Sequence, residues 1–116
     1  MKKRIVRACA LLLGMTAALT TASAIAQNKD QDGGKTLEAG KKVFTQTAQP
    51  ACIVCHTLRH AGASGEIGPS LDELKPDAAR VEKAVRNGIG QMPAFSNLSD
   101  ADIRLVAKYV STVAGQ

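Results

Sequence analysis

The chain has no tryptophan, one tyrosine and two phenylalanines among its 116 residues. With only Phe44, Phe95 and Tyr109 as aromatics, it can build only a small core from its own side chains. Cysteine is scarce as well: Cys9, Cys52 and Cys55 are all there are. Cys52 and Cys55 stand three positions apart, and a disulfide closing so short a loop would remove little chain entropy. A framework of several disulfides, the usual support of small exported domains, is therefore excluded. Sustained period-two alternation is missing and no internal repeat is present, which argues against strands and solenoids. A long apolar run is missing too, because the uncharged stretch from Ala8 to about Thr20 is diluted by Thr and Ala. It falls short of the roughly 20 strongly apolar residues that span a bilayer, so no stable membrane insertion of the mature chain is expected.

What that stretch does resemble is an export signal. The basic start Met1-Lys2-Lys3-Arg4-Ile5-Val6-Arg7 precedes it, and Ala24-Ile25-Ala26 follows with the small residues a signal peptidase accepts. Residues 1–26 are read as a signal peptide cut after Ala26, which places the mature chain in the periplasm and discards Cys9. The full-chain net charge of +5 then misleads. Removing Lys2, Lys3, Arg4 and Arg7 from 15 basic residues leaves 11 against 10 acidic ones. Nucleic-acid binding needs a surplus of positive charge on one surface, and this class of function is excluded.

The mature chain divides into a polar, glycine-containing segment 27–35, QNKDQDGGK, expected to be flexible, and one domain over 36–116. Leu37, Gly40 and Phe44 share a helical face, and that helix should stop before Pro50. Asp77 to Asn87 carries Ala78, Val81, Ala84 and Val85 at helical spacing, with Gly88 as a left-handed cap. Ser99 and Asp102 read as a capping box for a last helix with Ile103, Val106, Ala107 and Val110 as its apolar stripe, Leu105 and Tyr109 beside it. The fold class is all-α, three to four helices with long loops. Between the helices, Thr57 to Pro76 runs without periodicity and holds Gly62, Gly65, Gly68, Pro69 and Pro76. A structureless loop of that length needs something to pack on. A domain this small buries only about 60–65% of its unfolded surface, so both observations call for a bound group, without which the mature chain should be largely unfolded.

The motif Cys52-Ile53-Val54-Cys55-His56 supplies one. Its spacing is that of covalent haem attachment, in which two thiols three residues apart bond the haem vinyl groups and the following histidine falls under the iron. The competing readings are a haem-free thiol-disulfide redox pair, which usually sits in a strand-helix context, and half of a zinc site, which lacks two further ligands at suitable spacing. An axial histidine needs its second ring nitrogen hydrogen-bonded. In Ile67-Gly68-Pro69-Ser70-Leu71, Gly68 allows close backbone approach and Pro69 offers a carbonyl, so Pro69 is the expected acceptor, against the plainer reading of a turn proline. On the far side of the iron, Met92 in Asn87-Gly88-Ile89-Gly90-Gln91-Met92-Pro93-Ala94-Phe95 is the only methionine left after cleavage and the expected sixth ligand. His60 competes for that role but follows His56 by only four residues, and is read as a surface residue.

CIVCH, IGPSL, the loop GIGQMPAF and a C-terminal helix containing Tyr109 together resemble the class I c-type cytochromes over about Thr36 to Ala114. The resemblance implies the cytochrome c fold around one haem c, His56 and Met92 as iron ligands, and crossed first and last helices where Gly40 and Phe44 meet Tyr109. It also implies an electron carrier and not an enzyme. The narrower stretch CHTLRHAGASGEIGPSLDELKP is similar to the cytochrome subunit of bacterial sulfite dehydrogenases, implying as partners a periplasmic dehydrogenase with a molybdenum subunit and a terminal oxidase or other cytochrome. Residues 43–58 and 87–99, both flanking the expected haem, contain no Asp, Glu, Lys or Arg. A neutral docking patch around the haem edge is the expectation they raise.

Overall fold

In the computed structural model, residues 23–116 are described, with side chains from residue 32 onward. The expected signal peptide therefore lies outside the described residues apart from 23–26. Helix α1 runs Ser23–Lys42 and widens into a π-helical turn, Val43–Thr47. A 3-10 turn, Cys52–Val54, carries the cysteine motif. Strands β1 (Thr57–Leu58) and β2 (Ala63–Ser64) flank a second 3-10 turn, Arg59–Ala61. Three more helices follow: α2 (Leu71–Leu74), α3 (Ala78–Asn87) and α4 (Asp100–Val113).

Segment 27–35, expected to be flexible, is thus part of α1. Extending an existing helix costs far less than nucleating one, and Thr36 adds a side-chain bond back to the Asp32 carbonyl at 2.8 Å. Gly33 and Gly34 face open space, so this extension gains its order from the packed half of the helix.

That packed half begins near Leu37 and crosses α4. Gly40 is buried there, and a Cβ on it would come within 2.5 Å of Tyr109 Cβ and closer still to the Leu105 carbonyl. Only a residue without a side chain lets the two backbones approach so far. One turn on, Phe44 meets Tyr109 at a centroid distance of 6.1 Å and a tilt of 57°, a favourable geometry for aromatic pairs. Around this contact and on its cleft side, α4 buries Ile103, Val106, Ala107, Tyr109, Val110 and Val113.

Local caps fix the other ends. Ser99 and Asp102 bond each other's backbone amides at 3.1 and 3.2 Å, closing the capping box of α4. Asp77 accepts from the Arg80 amide at 2.7 Å to start α3, and Arg86 late in that helix pairs with Glu82 and with Asp100 at the start of α4. Gly88 follows with φ +70° but ψ 169°. The sign of φ needs glycine, yet the chain leaves the helix extended instead of curling into the left-handed cap expected of it.

The loop without periodicity resolves into short pieces. Thr57 pairs with Ser64 and Leu58 with Ala63, burying Leu58 and Ala63. Two-residue strands are too short to show alternation. Ser70 caps α2, and Asp72 within it accepts from the Arg59 amide at 2.8 Å and the Gly115 amide at 2.9 Å. One carboxylate thereby ties the loop to the chain's last residues.

Candidate functional site

The cysteine motif, the Ile67–Pro76 loop, α3 and the 87–95 loop surround a cleft of about 720 Å³. Its walls are mostly apolar. Ile67 and Ile89 line it while 68% and 69% exposed, and Leu74 joins them at 38%. Large aliphatic side chains left open around one cleft mark a place built for an apolar ligand, and the volume is of the size that encloses an organic cofactor.

Cys52, Cys55 and His56 form one wall. The 3-10 turn makes this possible: the amides of Cys55 and His56 both bond the Cys52 carbonyl, at 3.2 and 3.0 Å. Cys52 packs against the core cluster, and burial pushes its thiol up to about 11. A dithiol redox pair works through a cysteine held well below the ordinary thiol value, so this environment disfavours the thiol-disulfide reading. Among the described residues, no three His, Cys, Asp or Glu side chains gather as a metal cluster.

His56 is held from the next loop. Its Nδ1 donates to the Pro69 carbonyl at 2.9 Å. A carbonyl only accepts, so the proton lies on Nδ1 and Nε2 keeps a free lone pair. The Gly68 amide bonds the Cys55 carbonyl at 2.8 Å, and a Cβ on Gly68 would lie 2.6 Å from His56 Cε1. The bare backbone of Gly68 is the surface against which the imidazole rests.

Met92 lines the same cleft and packs against the core. Its loop is fastened at both ends: Ile89 and Met92 exchange backbone bonds at 3.0 Å, and the Phe95 amide reaches the Val85 carbonyl at 2.9 Å. The five residues singled out from sequence, Cys52, Cys55, His56, Pro69 and Met92, therefore face one cavity. Their chemistry fits haem c: two thiols, an imidazole with one lone pair free and a thioether around an apolar slot.

His60 stands elsewhere. It is solvent-exposed as a surface residue would be, but its Nδ1 shares a 2.8 Å hydrogen bond with the Tyr109 hydroxyl, and the rings meet edge-on at 5.4 Å. It does not line the cleft. Sequence reasoning also missed Arg80 and Lys83, which line the cleft from α3. The rim is consequently not free of charge, even though segments 43–58 and 87–99 are. Helical spacing of Arg80 and Lys83 with the apolar Ala84 was the signal available.

Residues 35–110 match the family described as cytochrome c oxidase, cbb3-type, subunit III. Cytochrome c6 of Cyanidium caldarium is 36% identical over 87 residues, covering 67% of this chain and 72% of that protein. Cytochrome c6 of Cyanidioschyzon merolae is 37% identical over 82 residues, covering 64% and 71%. The crystal structure of the c-type cytochrome SorU from Sinorhizobium meliloti superposes with a TM-score of 0.70 at 55% identity, covering 72% of this chain and 95% of that one.

Proposed function

The chain belongs to the class I monohaem c-type cytochromes, electron carriers with covalently bound haem c and its iron, and from that premise we propose that it carries single electrons in the periplasm with His56 and Met92 as axial ligands. When bound, the haem supplies a one-electron iron couple. Everything else falls to the residues of this chain. Cys52 and Cys55 tether the group through thioethers, which keeps it from being lost outside the cytosol. His56 offers the Nε2 lone pair, and Pro69 fixes its tautomer and strengthens it as a donor. Met92, which lines the same cleft, would offer its thioether to the iron, and a group so held would suit electron transfer and not oxygen or peroxide chemistry. The apolar walls exclude water and, with the thioether, favour the reduced form, giving a positive potential.

The observation that carries this reading is the His56 Nδ1 to Pro69 bond, which frees Nε2 on the wall of the cleft that Met92 also lines. The Met92→Ala variant tests it: the midpoint potential should drop and the iron should bind exogenous ligands such as cyanide or imidazole. An unchanged potential and spectrum would exclude Met92 as ligand.

For partners, the similarity of CHTLRHAGASGEIGPSLDELKP to cytochrome subunits of sulfite dehydrogenases supports a periplasmic dehydrogenase with a molybdenum subunit as donor. A terminal oxidase or another cytochrome would then accept the electron. Gel filtration of the native protein separates the two forms this can take. Co-elution with a larger subunit marks a dedicated haem subunit, and elution alone marks a free shuttle. Among the described residues, no helix is long and apolar enough to cross a membrane.

A further inference from the structure

Apart from the His56 imidazole, two ionisable nitrogen groups line the cleft, and both come from one face of α3. Arg80 and Lys83 stand at positions i and i+3, and the same face continues through Ala84 to Asn87, all lining the cavity. No Asp or Glu lines it. Both cations are exposed, and among the described residues neither takes part in an ion pair. Arg86 differs: it points to Glu82 and Asp100, pairs that consume its charge within the protein. Two exposed cations with no partner among the described ion pairs thus stand on the cleft wall, where an anionic group bound there could meet them.

The proposed cofactor carries two such anions. Once its vinyl groups are bonded to cysteine, the polar groups left on haem c are two propionate carboxylates. An ionised carboxylate at the edge of an apolar cleft is unfavourable unless it is paired and hydrogen-bonded. We propose that Arg80 and Lys83 bind the two haem propionates, Arg80 through its planar fork and Lys83 as a point charge. Asn87 and Gln91, the uncharged polar side chains on this part of the lining, add neutral donors. This assignment rests on the haem reading above. It gives α3 a role beyond packing: the helix holds the carboxylate end of the group and offsets its negative charge.

The test uses purified holoprotein of the wild type, Arg80→Gln, Lys83→Gln, the double variant, Arg80→Lys and, as a control on α4 away from the cleft, Lys108→Gln. The readouts are the midpoint potential and the carboxylate bands in reduced-minus-oxidised infrared spectra. Removing a cation beside a propionate leaves more negative charge near the iron, so each glutamine variant should have a lower potential, the double variant the lowest. The carboxylate bands should shift with them, while Arg80→Lys keeps most of the wild-type potential and Lys108→Gln keeps all of it. If the double variant fails to load haem, the single variants carry the comparison. Unchanged bands and a potential no lower than in Lys108→Gln would overturn the assignment. So would unchanged bands with an altered salt dependence of oxidation by ferricyanide, which would make these cations a surface for anionic partners. A wild-type chain without covalent haem would overturn the parent reading instead.

Discussion

Gly40 and Tyr109 hold α1 and α4 at a separation that no side chain on residue 40 fits, since a Cβ there would lie 2.5 Å from Tyr109 Cβ. The neighbours it would strike are the Leu105 carbonyl and the stem of a fully buried ring, neither of which can swing aside. Gly40→Ala should therefore force the helices apart and cost about 1–3 kcal/mol, despite the better helix propensity of alanine. Urea unfolding of the holoprotein checks this. Equal or greater stability would mean that the crossing is looser than described.

Tyr109 is completely buried, yet its hydroxyl reaches the exposed His60. Burial first, and the charge of Glu38 second, push its phenol up from 10.0 to about 12. A folded value raised above the unfolded one gives stability that is complete below pH 10 and is lost as pH rises toward 12. Tyr109→Phe removes both the bond and this alkaline loss. At pH 7 the variant should be less stable by about 1 kcal/mol, and the gap should close as the pH rises from 10 to 12. Thermal unfolding across that window decides it; a gap that stays constant contradicts the account.

Asp72 binds two backbone amides, of Gly115 and Arg59, and these hydrogen bonds hold its carboxyl below the ordinary 3.8, with the Arg59 charge a smaller contribution. Depression of a carboxylate gives stability present above the ordinary value and lost as pH falls through the folded one. Asp72→Asn should cost about 1.5–3 kcal/mol at pH 7 and should lose less than the wild type on acidification from pH 5 to pH 2. Unfolding free energies at a series of pH values provide the measurement. Parallel curves would show that this carboxylate does not tie down the C-terminus.

Gly68→Ala puts a methyl group 2.6 Å from His56 Cε1. The ring must turn, and its bond to Pro69 must lengthen. The yield of covalent holoprotein should fall several-fold, and what assembles should have a higher potential, because an imidazole without its carbonyl partner is a weaker donor to ferric iron. Absorption per polypeptide and a redox titration read both effects. Wild-type yield with wild-type potential would show that the Gly68 backbone does not buttress the ligand.

Much of this architecture is legible in local sequence. The α4 capping box at Ser99 and Asp102 announces itself because both partners lie within one turn, and so does the α3 start at Asp77. The CIVCH spacing is likewise read from five consecutive residues. What escapes such reading depends on residues far apart in the chain: Asp72 on Gly115, and His60 on Tyr109. The Leu58–Ala63 pairing is hidden for a different reason, because two residues are too few for a period. Arg80 and Lys83 look like an ordinary solvated helix face until α3 is set against the cleft. The helicity of 27–35 also runs against its composition, since it is inherited from the packed end of α1.

Acid-acetone extraction of the purified mature protein, followed by visible absorption, tests the central claim most directly. With thioethers at Cys52 and Cys55, the haem absorption must stay with the polypeptide in the precipitate, one haem per chain. Colour passing into the acetone, or a protein with no haem absorption at all, would contradict the account.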